Sequence, residues 1–142
     1  MSMSARRKAR VLACQAVYQW QMTQEDLQQI YQQFIEDNAS KEYDEDYFSV
    51  VFFGVCKQQE ALDCIIEPEL IDKKLIELTQ IELALLRIGA FELLNSHDVP
   101  VNVVLTETVR ISKKFGSTDG YKFVNAVLDK VVATQNLRMN DA

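Results

Sequence analysis

The chain has 142 residues, 48% of them apolar and 25% charged, with 4 glycines and 2 prolines. This length and balance fit one domain, or two small subdomains sharing a core, and exclude disorder; the scarcity of turn residues argues against an all-β sandwich, no apolar run approaches the roughly 18–20 residues of a membrane span, and the basic start lacks a secretory signal core. The net charge is −6, yet residues 1–10 carry Arg6, Arg7, Lys8 and Arg10 without one acid, so the remainder carries −10. A cationic block on an acidic body points to a localised phosphate contact.

Helical periodicity dominates from the start. A first helix is predicted from about Ala5 to Met22, capped by Ser4. Arg6, Arg7 and Arg10 are spaced to share one exposed side of its first two turns. Leu12, Ala16 and Trp20 form its core-facing stripe. Cations at a helix N-terminus oppose the macrodipole, and a bound polyanion would offset that cost. Thr23 opens a second start signal, with Leu27, Ile30, Phe34 and Ile35 on a buried face and glutamines on the other.

Glu36 to Asp46 holds six carboxylates and Lys41, and reads as a loop and an acidic helix start. A third helix, from about Asp44 to Ile66, carries Phe48, Val51, Phe52, Val55, Leu62 and Ile65 at helical spacing, and is expected to be the central one. Pro68 interrupts it, and a short helix is expected from Glu69 to about Glu77.

Thr79 to Glu82 has the form of a capping box, opening a helix that is apolar on most sides. Arg87 inside it needs a carboxylate, from Glu82, Glu92 or elsewhere. After a turn at Asn95 to Asp98, Pro100 starts a helix that Gly116 stops. Ser117, Thr118 and Asp119 offer caps for a last helix through about Ala133, with Phe123, Val127 and Val131 inward. The tail from Asn136 to Ala142 is expected to fray. The fold class is therefore all-α: about seven helices in two small bundles packed together. They form one domain over residues 1–142, with subdomains of approximately 1–66 and 67–135 and a frayed tail at 136–142.

Catalysis has little to stand on. His97 lies in a turn, and no nucleophile–base motif or phosphate-binding glycine loop is present. Cys14, Cys56 and Cys64 lack metal-ligand spacing and are expected to be buried free thiols. No enzyme activity, cofactor or metal is expected. Binding remains. Lys113 and Lys114 precede the Gly116–Gly120 turn; Tyr121, Lys122 and Phe123 follow it. Lysines and backbone amides at a helix start suit phosphate, and a ring can stack an unpaired base. On periodicity Phe123 reads first as a core residue, and Tyr18, two turns beyond Arg10, reads equally as a half-buried one.

Several segments together resemble a known family: A-R-R-K-A-R (5–10), A-V-Y-Q-W (16–20), L-R-I-G-A-F-E-L (86–93), D-V-P (98–100), K-F-G (114–116) and K-F-V-N-A-V-L-D-K (122–130). They are similar to the bacterial NusB antitermination factors over nearly the whole chain. The resemblance implies a cytoplasmic, non-catalytic, RNA-binding protein. Such a factor binds single-stranded boxA RNA of ribosomal RNA leaders together with NusE, a ribosomal small-subunit protein. It helps RNA polymerase, in an antitermination complex, to read through terminators and sustain ribosomal RNA synthesis. By matching position, the implied RNA-binding residues are Arg6, Arg7, Lys8, Arg10, Lys122 and Phe123, with Tyr18, Glu82 and Asp119 as further candidates. Lys8 stands where relatives often have arginine, which keeps the charge and loses the bidentate fork. Ala126 stands where many relatives have glycine. The alternative is a protein-only interaction module or homodimer without direct RNA contact.

Overall fold

The side chains of Ser2, Asp26, Asp44 and Thr79 each accept a backbone N–H from three residues on, at 3.0–3.2 Å, and each opens a helix. Such caps satisfy donors that a helix start leaves unpaired, and each contributes about 1 kcal/mol. The computed structural model describes residues 2–115 and 119–137. Among them are seven α-helices and no strand: α1 (Met3–Thr23), α2 (Leu27–Asp37), α3 (Glu45–Lys57), α4 (Gln59–Ile66), α5 (Gln80–Asn95), α6 (Val101–Phe115) and α7 (Gly120–Thr134). Two single-turn 3-10 helices, Glu67–Glu69 and Leu75–Glu77, lie between α4 and α5.

α5 is the mast of the fold. Every residue from Leu83 to Leu93 is buried, as a helix apolar on all sides requires. It packs on α1, α3, α4, α6 and α7. Gly54 of α3 makes one of these approaches possible, because a Cβ there would lie 2.3 Å from the Phe91 ring. An aromatic cluster closes the other end of the core. Phe48 stacks between Tyr31 and Phe52, with ring centroids 5.6 and 6.0 Å apart. Each such pair stabilises by about 0.5–1.5 kcal/mol beyond the area it buries. The buried apolar residues of all seven helices form one continuous core.

Several expectations are corrected. Ser2, not Ser4, caps α1, and Asp26, not Thr23, caps α2. The long third helix is two helices that change direction at Gln58 (φ −103°, ψ 16°), and α5 takes the central place expected for it. Gln58, Gln59 and Glu60 are ordinary helix formers, so nothing local marks the break. Packing imposes it, because α3 lies along α1 whereas α4 lies on α5 and α7. The expected helix from Glu69 to Glu77 is absent. Leu70 and Lys74 are extended and Asp72 is left-handed, so only the two 3-10 turns form.

Cys64 is exposed, unlike Cys14 and Cys56. Burial pushes those two thiols up to about 12, which leaves them inert at neutral pH. Leu137 packs into the core, so the frayed tail does not include it. The expected features at Gly116, Ser117, Thr118 and residues 138–142 lie outside the described residues.

Candidate nucleic-acid interface

The arginine-rich turn of α1 is held by acids from three other elements. Arg6 reaches Asp44 (Nε–Oδ2 3.6 Å) at the start of α3 and Asp98 (Nη1–Oδ2 3.3 Å) before α6, and its guanidinium lies 4.3 Å from the centre of the Tyr47 ring. Arg7 Nε donates to Glu107 Oε1 of α6 at 2.8 Å. Arg10 departs from expectation. It is not on an exposed side with Arg6 and Arg7 but is 2% exposed, donating to Glu92 Oε1 of α5 at 2.8 Å. At i+4 from Arg6 it lies one turn deeper along the helix, where α5 and α3 close over it. Tyr47 donates its hydroxyl to the same Glu92 oxygen and lies 3.2 Å from Ser96 Oγ.

This buried cluster sets its own electrostatics. Burial pushes the Glu92 carboxyl up, against the opposing pull of Arg10 and Tyr47. Burial works to lower the Arg10 pKa, yet Glu92 and Tyr47 together more than offset it and the net shift is upward. The Tyr47 hydroxyl is raised, first by burial and then by the Glu92 charge. Glu107 behaves oppositely. Burial would raise it, but the hydrogen bonds and charges of Arg7 and Arg110 (Nε–Oε2 3.0 Å) together outweigh burial and hold it below the usual carboxylate range.

Lys8 is left exposed, without an ion pair among the described residues. It borders a cavity of about 380 Å³ between α1, the loop after α2 and the C-terminal half of α6. Lys41 from the loop, and Arg110 and Lys114 from α6, line the same cavity. Lys41 and Arg110 are not among the residues the sequence singles out, and Lys114 is expected there only as the flank of a turn. The available signal was the four-residue spacing of Arg110 and Lys114, and Lys41 as the one cation in an acidic stretch.

The other expected residues fall on two flanks. Tyr18, 40% exposed, lines a second cavity with Gln15, Met22, Thr79, Ile81 and Phe115. That brings it to the start of α5, where Glu82 completes its capping box with Thr79 (Oε1 to N 3.0 Å), so the Glu82 carboxylate is engaged as a cap. On the far flank of α6, Lys122 lines a cleft with Thr106, Val109 and Tyr121. Lys122 pairs with Asp119 at 3.5 Å on the surface, and Lys113 lies 4.7 Å from the centre of the Tyr121 ring. Phe123 is half-buried against the core, with the Lys73 ammonium 4.9 Å from its centre. α6 therefore links the two expected regions: it borders Arg7 and Lys8 on one side and Tyr121 and Lys122 on the other. Arg87 finds its carboxylate in Asp63 of α4 through two hydrogen bonds of 2.9 Å, rather than in Glu82 or Glu92.

A helical protein with exposed cations and rings on both flanks of one helix has the surface of a small binding factor. Comparison with known proteins gives the family: the NusB family model matches residues 7–133, and the chain belongs to that family. It is 45% identical over 130 residues to the transcription antitermination protein NusB of Hahella chejuensis, covering 92% of this chain and 87% of that protein. Among solved structures it is similar to a crystal structure of antitermination factors NusB and NusE in complex with dsRNA, at 26% identity and a TM-score of 0.85 over 94% of this chain and 99% of that one. It is also similar to NusB of T. maritima, at 27% identity and a TM-score of 0.80 over 89% of each chain. No helix among the described residues is long and apolar enough to cross a membrane.

Proposed function

We propose that this chain is a cytoplasmic, non-catalytic transcription antitermination factor. In this reading it binds boxA of ribosomal RNA leader transcripts together with NusE, and supports read-through by RNA polymerase and ribosomal RNA synthesis. The observation that carries the reading is family membership over residues 7–133, joined to a structural neighbour solved as a NusB–NusE complex with dsRNA.

The roles follow from the chemistry of each side chain. Arg6, Arg7 and Lys8 supply charge to phosphates. Arg10 orients their turn from beneath through Glu92, as a positioning residue. Tyr18 offers an exposed ring for a base. Lys122 supplies a second phosphate contact, with Asp119 as the partner it releases and Phe123 as the ring beside it. Glu82 acts by fixing the start of α5 next to Tyr18.

The test is the anisotropy of a labelled single-stranded boxA RNA across a salt series, with and without purified NusE. Salt-sensitive binding that tightens sharply with NusE is expected, because neutralising phosphates makes affinity fall steeply with salt. Absence of binding in both conditions at low salt would remove the RNA reading and leave a protein-interaction module.

A further inference from the structure

We infer that the cavity between α1, the loop after α2 and α6 binds one nucleoside phosphate. The binding function proposed above gives Arg7 and Lys8 to phosphates but does not assign this cavity or its other three cations, Lys41, Arg110 and Lys114; the RNA arm of the proposal rests on that function. Five cations border the cavity, Arg7, Lys8, Lys41, Arg110 and Lys114, and no lining residue is acidic, in a chain of net charge −6. They come from three separate elements, so the fold and not a run of sequence gathers them. Lys8, Lys41 and Lys114 make no ion pair among the described residues.

The two arginines are pre-oriented. Both bind the single Glu107 carboxylate through Nε, which leaves the Arg110 Nη nitrogens without another partner among the described residues. A guanidinium held in this way presents a fork that matches phosphate oxygens. Glu107 is nearly buried, so it anchors the arginines and leaves the rim cationic.

Apart from the neutral amides of Gln15 and Asn38, the rest of the lining is apolar or aromatic. Val11, Leu12 and Ile111 contribute aliphatic surface, and the ring of Tyr43 adds an aromatic one. Cations around an apolar floor suit a ligand with a charged end and a flat, weakly hydrated one. A nucleotide is such a ligand: phosphate on the rim, base on the floor. The cavity, about 380 Å³, falls within the roughly 300–1,000 Å³ of small-molecule sites. The nucleotide could be one residue of a bound RNA strand or a free nucleotide, and the experiment separates these sources.

The experiment uses the full chain and the exposed-lysine double variant Lys41→Glu/Lys114→Glu, with Lys57→Glu on α3 as a charge-change control outside the cavity. One arm measures single-stranded RNA binding by anisotropy. The other titrates adenosine 5′-monophosphate and follows the amide NMR signals of residues 38–43 and 110–114. For an RNA source, the double variant lowers RNA affinity by about tenfold or more and flattens the salt slope by roughly 0.7 per lost phosphate contact, while the control changes affinity by less than about twofold. For a free-nucleotide source, the monophosphate moves those amide signals in the wild type and not in the double variant.

RNA binding undiminished in the double variant, together with monophosphate shifts that are absent or unchanged by the substitutions, overturns the cavity proposal and leaves the RNA function standing. If the wild type binds no RNA but its cavity signals respond to the monophosphate, and the double variant abolishes the response, the RNA function falls and the cavity stands. Silence in both arms removes both.

Discussion

Arg10 and Glu92, 82 residues apart in the chain, meet at 2.8 Å in the interior, with side chains 3% and 0% exposed. Their contact joins the arginine-rich turn to the central helix. One nitrogen of Arg10 (Nη2) and one oxygen of Glu92 (Oε2) are buried without a hydrogen bond. A buried ion pair that is incompletely satisfied constrains geometry more than it adds stability. Arg10→Met is therefore expected to destabilise the protein by about 3–5 kcal/mol, because it strands the Glu92 charge. Arg10→Met combined with Glu92→Leu should recover much of that loss. Urea unfolding of the two variants against wild type measures both. A double variant no more stable than the single one would show that the pair itself is worth more than its burial costs.

Glu107 predicts a pH dependence. Its folded pKa lies below the ordinary 4.5 because Arg7 and Arg110 bind its charged form. A carboxyl lowered on folding contributes stability that is fully present above the unfolded value and is lost as pH falls through the folded one. The wild type should thus lose this contribution below about pH 4.5, and Glu107→Gln should lack it already at neutral pH. The gap between the two proteins in urea midpoint should narrow on acidification. A constant gap from neutral pH to well below that point would show that the ion pairs do not set the effect.

Gly54 and Gly89 separate two kinds of tight helix contact. A Cβ at Gly54 meets two Phe91 ring atoms at 2.3 Å, whereas one at Gly89 meets the Cδ1 of Leu128 at 2.5 Å. A leucine terminus can change rotamer; a buried ring has to shift as a plate. Alanine regains about 1 kcal/mol of helix propensity at either site. Gly54→Ala is expected to destabilise by about 1–3 kcal/mol through overpacking, and Gly89→Ala by clearly less. Thermal unfolding ranks them, and the reverse order would mean that α3 and α5 can separate at little cost.

Arg6→Ala and Arg7→Ala should both weaken RNA binding and flatten its salt dependence, with helical circular dichroism unchanged. Their effects on stability should differ. Arg6 pairs with the largely exposed Asp98 and reaches the buried Asp44, already engaged as the α3 cap, only at 3.6 Å, whereas Arg7 donates to the buried Glu107 at 2.8 Å. An exposed pair contributes about 0–1 kcal/mol, and losing a direct hydrogen bond to a buried carboxylate costs more than losing a 3.6 Å contact, so Arg7→Ala should cost more stability. Unchanged RNA binding in both variants would place the RNA elsewhere on the surface.

What was legible in the sequence was what is local. The capping box at Thr79 and Glu82 forms as its spacing implies, because both partners lie within one turn. The all-apolar run of α5 likewise announces its own burial. Relationships across the chain were not legible. Arg87 looked equally suited to Glu82, Glu92 or another carboxylate, and only packing supplies Asp63, 24 residues earlier. The break at Gln58 has no local cause, so apolar spacing ran through it. Arg10 carries the same charge as Arg6 and Arg7 in the same motif, and its burial follows from Glu92 rather than from its neighbours. The expected site therefore mixes exposed cations with a buried one, and Lys41, isolated among acids, joins the cations of the cavity only in three dimensions.

The reach of these α1 contacts bears on how the protein is made. Arg10 emerges from the ribosome 82 residues before Glu92, and Arg7 100 residues before Glu107. At about 5–20 residues per second, that interval lasts several seconds or more. Throughout it the first helix can bury neither its arginine nor its apolar stripe against α5. The cationic turn acquires its final shape only once α5 and α6 have emerged. A truncated nascent chain therefore carries the charges of the arginine-rich turn without their arrangement.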